Sequence, residues 1–168
     1  MMKKWWAPTL VGAMALSAVA YAADQGGIKI YRGERKGGVI AKAVEVPGDK
    51  TLIFLSGKTG PIINKDVPKD TVAARGDMET QTRGALTAIQ EQLKSLGLDM
   101  KDVVKATVFM VGDPDKGGEL DKAGMNKAFG EFFGTDAQPN VPARSAFQVA
   151  GLAGKGALVE IEVIAARP

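Results

Sequence analysis

Residues 138–166 read QPNVPARSAFQVAGLAGKGALVEIEVIAA, and this stretch carries the strongest structural and chemical signals in the sequence. In its second half Val159, Ile161 and Val163 alternate with Glu160 and Glu162. A period of two predicts a β-strand with one buried face, and it places both carboxylates together on the other face. The strand therefore has one acidic face and one apolar face.

Sixteen residues before the first of these carboxylates, one arginine lies in the apolar segment Pro142-Ala143-Arg144-Ser145. The planar guanidinium of Arg144 suits a carboxylate ligand, which it can bind through two parallel hydrogen bonds. A nearby glutamate, either Glu160 or Glu162, could then orient or deprotonate a water molecule. The alternative is structural, an ion pair or solvated strand residues, since most charged side chains lie at protein surfaces.

Length and composition predict one folded domain with a sizeable core. The chain has 168 residues, of which 45% are hydrophobic and 24% are charged, an ordinary globular composition. Its net charge is +3, but residues 1–22 hold Lys3 and Lys4 and no acid, so the remainder has 20 basic and 19 acidic residues. This balance, without a dense Lys/Arg tract, argues against a nucleic-acid partner.

The sequence contains neither cysteine nor histidine. Disulfides, thiolate nucleophiles, His-based triads and Cys- or His-ligated metals are therefore excluded. Any chemistry must use Arg, Lys, carboxylates, hydroxyls, amides, backbone groups or water, and we expect neither a cofactor nor a metal.

The N-terminus has the pattern of a secretory signal peptide. Lys3 and Lys4 precede an apolar run over residues 7–20, and Ala20-Tyr21-Ala22 supplies the small residues that a signal peptidase requires. The alternative is a membrane anchor, but the run is shorter than the ~20 residues of a spanning helix. We expect cleavage after Ala22, a domain over residues 23–168, a periplasmic or secreted location, and no stable membrane association after cleavage.

The rest of the chain predicts alternating strands and helices. Helices are expected at residues 77–96 and 120–133, and strands at 28–31, 39–46, 51–55, 102–111, 145–149 and 157–166. Asp77 is placed to start the first helix and Gly97 to end it. The apolar strand at 51–55 is expected to be covered on both faces, and residues 57–76 form a long connection.

The resulting order, β-β-β-α-β-α-β-β, predicts an α+β sandwich in which a mixed sheet carries two helices on one face. The other face of the sheet remains partly apolar, which favours association with other copies of the chain. Residues 113–124 resemble a calcium-binding loop only superficially, because Gly124 occupies the position of the required acid and no helix precedes the loop.

Four motifs of the sequence resemble those of the RidA/YjgF family of enamine and imine deaminases. Pro142-Ala143-Arg144-Ser145 followed by Val159-Glu160-Ile161 is similar to the family's C-terminal signature, and Gln81-Thr82-Arg83 is similar to the Gln-x-Arg of its first helix. Ser56-Gly57 ends a strand as in the family, and the segment around Asn126 resembles the family's Asn-x-x-aromatic pattern. We interpret Arg83 as a surface or interface residue.

The resemblance implies a chorismate-mutase-like fold, a homotrimer with sites at subunit interfaces, and hydrolysis of 2-imino or enamine acids to 2-oxo acids and ammonia. It assigns Arg144 to the substrate carboxylate and Glu160 to water, and the substrate-binding residues it implies are Ser56, Gly57, Asn126 and Ala146. Ile40 stands where the family often has an aromatic residue, Lys58 where glutamine is usual, and Ala146 where cysteine is common.

Two other functions remain open. A non-enzymatic ligand-binding or chaperone-like trimer would keep Arg144 as an anchor without turning substrate over. Chorismate mutase activity would rest on fold alone, which does not determine function.

Overall fold

The computed structural model describes residues 27–34 and 37–167. The predicted signal peptide, at residues 1–22, lies outside this part of the chain. Among the described residues, no helix combines the length and apolar character that crossing a bilayer requires.

In the described part of the chain, six strands form one mixed sheet. They are β1 (Lys29–Arg32), β2 (Ala41–Glu45), β3 (Thr51–Thr59), β4 (Val103–Met110), β5 (Ala143–Gln148) and β6 (Val159–Arg167), in the spatial order β1-β2-β5-β4-β6-β3. β5 runs parallel to both β2 and β4, whereas the other neighbouring strands are antiparallel. The first two strands form a hairpin, with Tyr31 opposite Ala43.

Within residues 27–34 and 37–167, three α-helices connect the strands: α1 (Val72–Arg75), α2 (Met78–Ser95) and α3 (Lys122–Phe129). The Asp77 carboxylate caps α2 by accepting a hydrogen bond from the Thr80 amide at 2.9 Å. Gly97 ends the helix with φ of 74°, a left-handed conformation that glycine adopts without steric cost. Both predicted helix boundaries are confirmed to within a residue or two.

The core lies between the sheet and the pair α2 and α3. On α2, Leu86, Ile89 and Leu93 are fully buried, and on β6 the predicted apolar face of Val159, Ile161 and Val163 packs beneath them. Met125, Phe129 and Phe133 complete this layer from the α3 side. The predicted α+β sandwich with helices on one face is therefore confirmed. Leu96, which directly follows the last residue of α2, is 41% exposed.

The predicted burial of the third strand on both faces is wrong. β3 is an edge strand that pairs only with β6, and it continues past Leu55 through a bulge to Thr59. Leu52 and Phe54 are 44% and 72% exposed because no helix covers that face of the sheet in the described chain. The apolar run that suggested double coverage reflects this open face.

The predicted long connection after residue 57 is shorter than expected. β3 occupies its first residues and α1, a single turn, occupies residues 72–75. The second predicted helix ends at Phe129 rather than Phe133, and the following residues form tight turns in which the Phe132 amide bonds to the Phe129 carbonyl at 3.2 Å.

Candidate functional site

Arg144 projects from β5 toward α3. It lies in register with the buried Ala106 of β4, so its side chain is on the helix-covered face of the sheet. Its Nη2 donates a 2.7 Å hydrogen bond to Asn126 Oδ1, and its guanidinium carbon lies 4.5 Å from the centre of the Phe129 ring. Two of the predicted site residues, Arg144 and Asn126, are thus in direct contact, and the aromatic ring fixes the plane of the guanidinium.

Among the residues that the structure describes, the charge of Arg144 has no acidic partner. Its side chain is partly buried, and this burial lowers the pKa of its guanidinium. In the part of the chain that the structure describes, no carboxylate forms an ion pair with it. Because the pKa of arginine is very high to begin with, the group still carries its charge at neutral pH. A desolvated cation without a counter-ion is ready to bind an anion.

Arg144 and Asn126 open into a cavity of about 700 Å³. One wall is the backbone of Gly37 and Gly38, and Ile40 supplies an apolar side chain to the same cavity. Ile40, which stands where the family often has an aromatic residue, therefore forms part of the cavity wall. The cavity combines a positive group, an amide and an apolar surface, which is the composition of a small-molecule site.

Glu160 and Gly57 form a second group. The two are packed so closely that a Cβ atom added to Gly57 would lie 2.9 Å from Glu160 Cγ and 3.0 Å from Cδ. The missing side chain of Gly57 therefore provides the space in which the Glu160 carboxylate lies. Ser56 precedes Gly57 on β3 and is exposed.

The two groups lie on opposite faces of the sheet. Glu160 is in register with Phe109, which is in register with Phe147, so these three side chains share the face without helices. Arg144 is three residues from Phe147 along β5, an odd number, and therefore points to the other face. Ala146, two residues after Arg144, shares the face of Arg144 and is exposed. A single protomer does not bring Arg144 and Glu160 together.

Arg83 behaves as the surface residue that the sequence suggested. Its Nη2 atom lies 2.6 Å from carboxylate oxygens of both Glu79 and Glu131, and Lys127 joins the network through Glu79 at 3.0 Å. These partners lower the pKa of the Glu79 and Glu131 carboxyl groups, mainly through direct hydrogen bonds. The network ties α2 to the segment around α3.

Residues 113–119 form a turn rather than a metal loop. The Asp113 carboxylate accepts a hydrogen bond from the Asp115 amide at 2.9 Å, and Asp113 bridges to Glu119 through the backbone. Residues 27–34 and 37–167 contain no cluster of three or more acidic side chains that could hold a metal ion.

Three cavity residues were not predicted from the sequence: Arg32, Lys42 and Lys127. Arg32 and Lys42 flank the turn of the β1–β2 hairpin, and Lys127 directly follows Asn126 in α3. The sequence signal that could have indicated them is the presence of basic residues on both sides of a glycine-rich hairpin turn. Their convergence on Arg144 depends on the pairing of β2 with β5, which no local pattern reveals.

Comparison with known proteins agrees with this architecture. The family model described as Endoribonuclease L-PSP matches residues 40–167. The 2-iminobutanoate/2-iminopropanoate deaminase of Capra hircus is 38% identical over 119 residues, which cover 70% of this chain and 73% of the relative. A RutC family protein of Haemophilus influenzae is 33% identical over 141 residues, covering 83% and 97% of the two chains.

A solved structure is similar to this chain in both sequence and fold. The YjgF gene product of E. coli superposes with a TM-score of 0.53 at 31% identity, over 73% of this chain and 85% of that one. The sequence match, the mixed sheet with helices on one face and the placement of the C-terminal signature all agree. This chain belongs to the endoribonuclease L-PSP family, the RidA/YjgF family that its sequence resembles.

Proposed function

We propose that this protein hydrolyses 2-imino acids and their enamine tautomers to 2-oxo acids and ammonia. The observation that carries the proposal is Arg144, a partly buried cation that bonds to Asn126, has no carboxylate partner among the described residues and opens into a cavity. The deaminase name of the Capra hircus relative supports the same chemistry. In the reaction, water adds to the C=N carbon, the C–N bond breaks, and nitrogen leaves as ammonia.

Arg144 binds the substrate carboxylate. Asn126 occupies one of the five N–H donors of the guanidinium, and the contact with Phe129 limits its rotation. A forked pair of the remaining donors can hold the carboxylate and thereby orient the adjacent imine carbon. Because imines hydrolyse spontaneously, orientation together with one general base is a sufficient catalytic requirement.

Glu160 positions and activates the attacking water. It faces away from Arg144 within one protomer, so the reaction needs Glu160 and Gly57 from a neighbouring copy. The face that carries Glu160 also exposes Leu52, Phe54 and Phe147, of which the last is 45% exposed. An apolar surface of this kind favours burial against another copy, and a homotrimer with three interface sites fits both needs.

The family description names an endoribonuclease, but this chain offers less for that reaction. It contains no histidine for acid–base catalysis on RNA, and beyond residues 1–22 its basic and acidic residues nearly balance. A small anionic molecule fits the cavity better than a polynucleotide.

We place the mature protein in the periplasm or outside the cell, on the signal-peptide pattern of residues 1–22. Its substrates would then be imines released by secreted or membrane-bound amine oxidases and dehydrogenases. Mass spectrometry of the protein recovered from separated cell fractions tests this placement. Full-length protein confined to the cytoplasm would refute it.

A carboxylate-binding trimer without catalysis is the second candidate. The observation in its favour is that the Arg144 group is complete within one protomer, whereas Glu160 lies on the other face. Glu160→Gln separates the two functions, because a binding protein keeps its ligand affinity in this variant and a hydrolase loses turnover.

The test uses mature protein and imines made in situ by an L-amino-acid oxidase. Semicarbazide traps the surviving imine, and a deaminase lowers the amount trapped. We expect wild type to do so and both Arg144→Ala and Glu160→Gln to fail. Co-expression of the two variants provides a control for the interface, because random mixing restores about one quarter of the sites if each site uses two copies. No activity of wild type on any imine would refute the proposal.

A further inference from the structure

The cavity beside Arg144 is lined by charges of one sign only. Its charged side chains are Arg32, Lys42, Lys127 and Arg144. Among the described residues, no aspartate or glutamate contributes to its walls. Four cations around one cavity repel each other, and an anionic ligand relieves that repulsion.

The four cations differ in the partners that they already have within the protein. Lys127 pairs with Glu79 at 3.0 Å, and the Arg32 guanidinium donates to the Pro139 carbonyl. Lys42, by contrast, forms neither an ion pair nor a side-chain hydrogen bond with any residue in the described ranges. It is exposed, and its Cε lies beside the glycine of the hairpin, 3.8 Å from where a Gly33 Cβ would be. Among the described residues, three of these cations have no acidic partner, and Lys42 differs from Arg32 and Arg144 in also lacking a side-chain hydrogen bond.

Arg144 and Lys42 offer two separate contacts to an anion. The planar guanidinium of Arg144 suits the carboxylate next to the imine, and the ammonium of Lys42, a point charge on the neighbouring strand β2, suits a second carboxylate. A volume of about 700 Å³ also leaves room beyond a three- or four-carbon imino acid.

We infer that the preferred substrates are 2-imino acids with a second carboxylate in the side chain, such as the imines of aspartate and glutamate. This inference rests on the proposed deaminase function and specifies its substrate class. Arg144 holds the carboxylate beside the C=N bond, and Lys42 receives the distal one. The reaction is unchanged: water enters at the imine carbon, ammonia leaves, and the product is a 2-oxo diacid.

The experiment compares imines of dicarboxylic and monocarboxylic amino acids, each generated by a matching amino-acid oxidase and trapped with semicarbazide. We expect wild type to have the higher kcat/KM on the diacid imines. Lys42→Gln should reduce that kcat/KM about 10-fold, mainly through KM, since a hydrogen bond to a charged group contributes at least this much. Activity on monoacid imines should not change.

Lys69→Gln is the matched control. It removes the same charge from an exposed lysine outside the cavity and should alter neither activity. If wild type shows no preference for diacids, or if Lys42→Gln affects both substrate classes equally, the inference fails while the deaminase proposal stands.

If wild type hydrolyses no imine, the deaminase proposal itself fails. Calorimetry then tests the second carboxylate site independently of catalysis. Binding of 2-oxoglutarate is then compared with that of 2-oxobutanoate. Tighter binding of the diacid that Lys42→Gln abolishes supports the second carboxylate site. Equal affinities overturn it.

Discussion

Replacing Gly57 by alanine tests the catalytic placement of Glu160 most directly. The new Cβ would lie 2.9 Å from Glu160 Cγ and 3.0 Å from Cδ, whereas ordinary contacts begin at 3.4 Å. The neighbouring atoms belong to the end of a flexible side chain, so the carboxylate moves rather than the backbone. A displacement of about 1 Å at a group that orients the attacking water is expected to lower kcat about 100-fold.

Stability should change little, because alanine is no worse than glycine at this strand position and Gly57 has no left-handed φ angle. The assay is semicarbazide trapping across a substrate series, with kcat and KM determined separately and Tm measured by calorimetry. We expect a lower kcat, a KM within a factor of about two because Arg144 is untouched, and a nearly unchanged Tm.

Gly48→Ala is the matched control, because a Cβ at Gly48 has no neighbour within 4 Å. It should keep full activity. A Gly57→Ala protein with the kcat of wild type would refute the reasoning. So would an additive loss in the double variant with Glu160→Gln, since two changes that act through one carboxylate should not add.

Three further predictions concern binding, assembly and pH. Arg144→Met should raise KM at least about 10-fold, because the substrate carboxylate loses its cation. Tm should be equal or higher, since the change removes a partly buried, unpaired charge and packs an apolar side chain on Phe129. Substrate titrations measure KM, and calorimetry measures Tm. Phe54→Lys should produce monomers in light scattering and abolish activity, because it charges the exposed apolar face. Glu131→Gln should lower Tm at pH 7 but not near pH 3, measured by thermal scans. Arg83 lowers the pKa of the Glu131 carboxyl, so its stabilisation is present above the ordinary glutamate pKa of about 4.3 and is lost as pH falls through the lowered value.

The sequence predicted most of the fold, because its main signals are local. The alternation of Val159, Ile161 and Val163 corresponds to the buried face of β6, and Asp77 and Gly97 bound α2 as expected. Where the prediction failed, the signal was ambiguous. The apolar run at residues 51–55 is compatible with a strand between two layers or with an edge strand that exposes Phe54, and periodicity alone does not distinguish them.

The candidate site was predicted in part. The motif around Arg144 and the position of Asn126 were recognised, and the two residues are in contact at 2.7 Å. The basic lining from Lys42 was missed, because it is contributed by a strand about 100 residues away in the sequence that meets β5 only through the parallel pairing at Ala41. Pairing between strands so far apart in the chain produces no periodic pattern in the sequence.

The sequence by itself determined the secondary structure, the family signature and the chemistry that is possible without cysteine or histidine. Only the tertiary structure decided that Arg144 and Glu160 lie on opposite faces of one sheet. The physical reason is that the alternation of side chains along a strand shows only which residues of that strand share a face. Which face of β5 matches which face of β6 depends on how each strand pairs with β4 between them. That register divides the site into two halves within a protomer, and it directs Arg144 into a cavity of like charges.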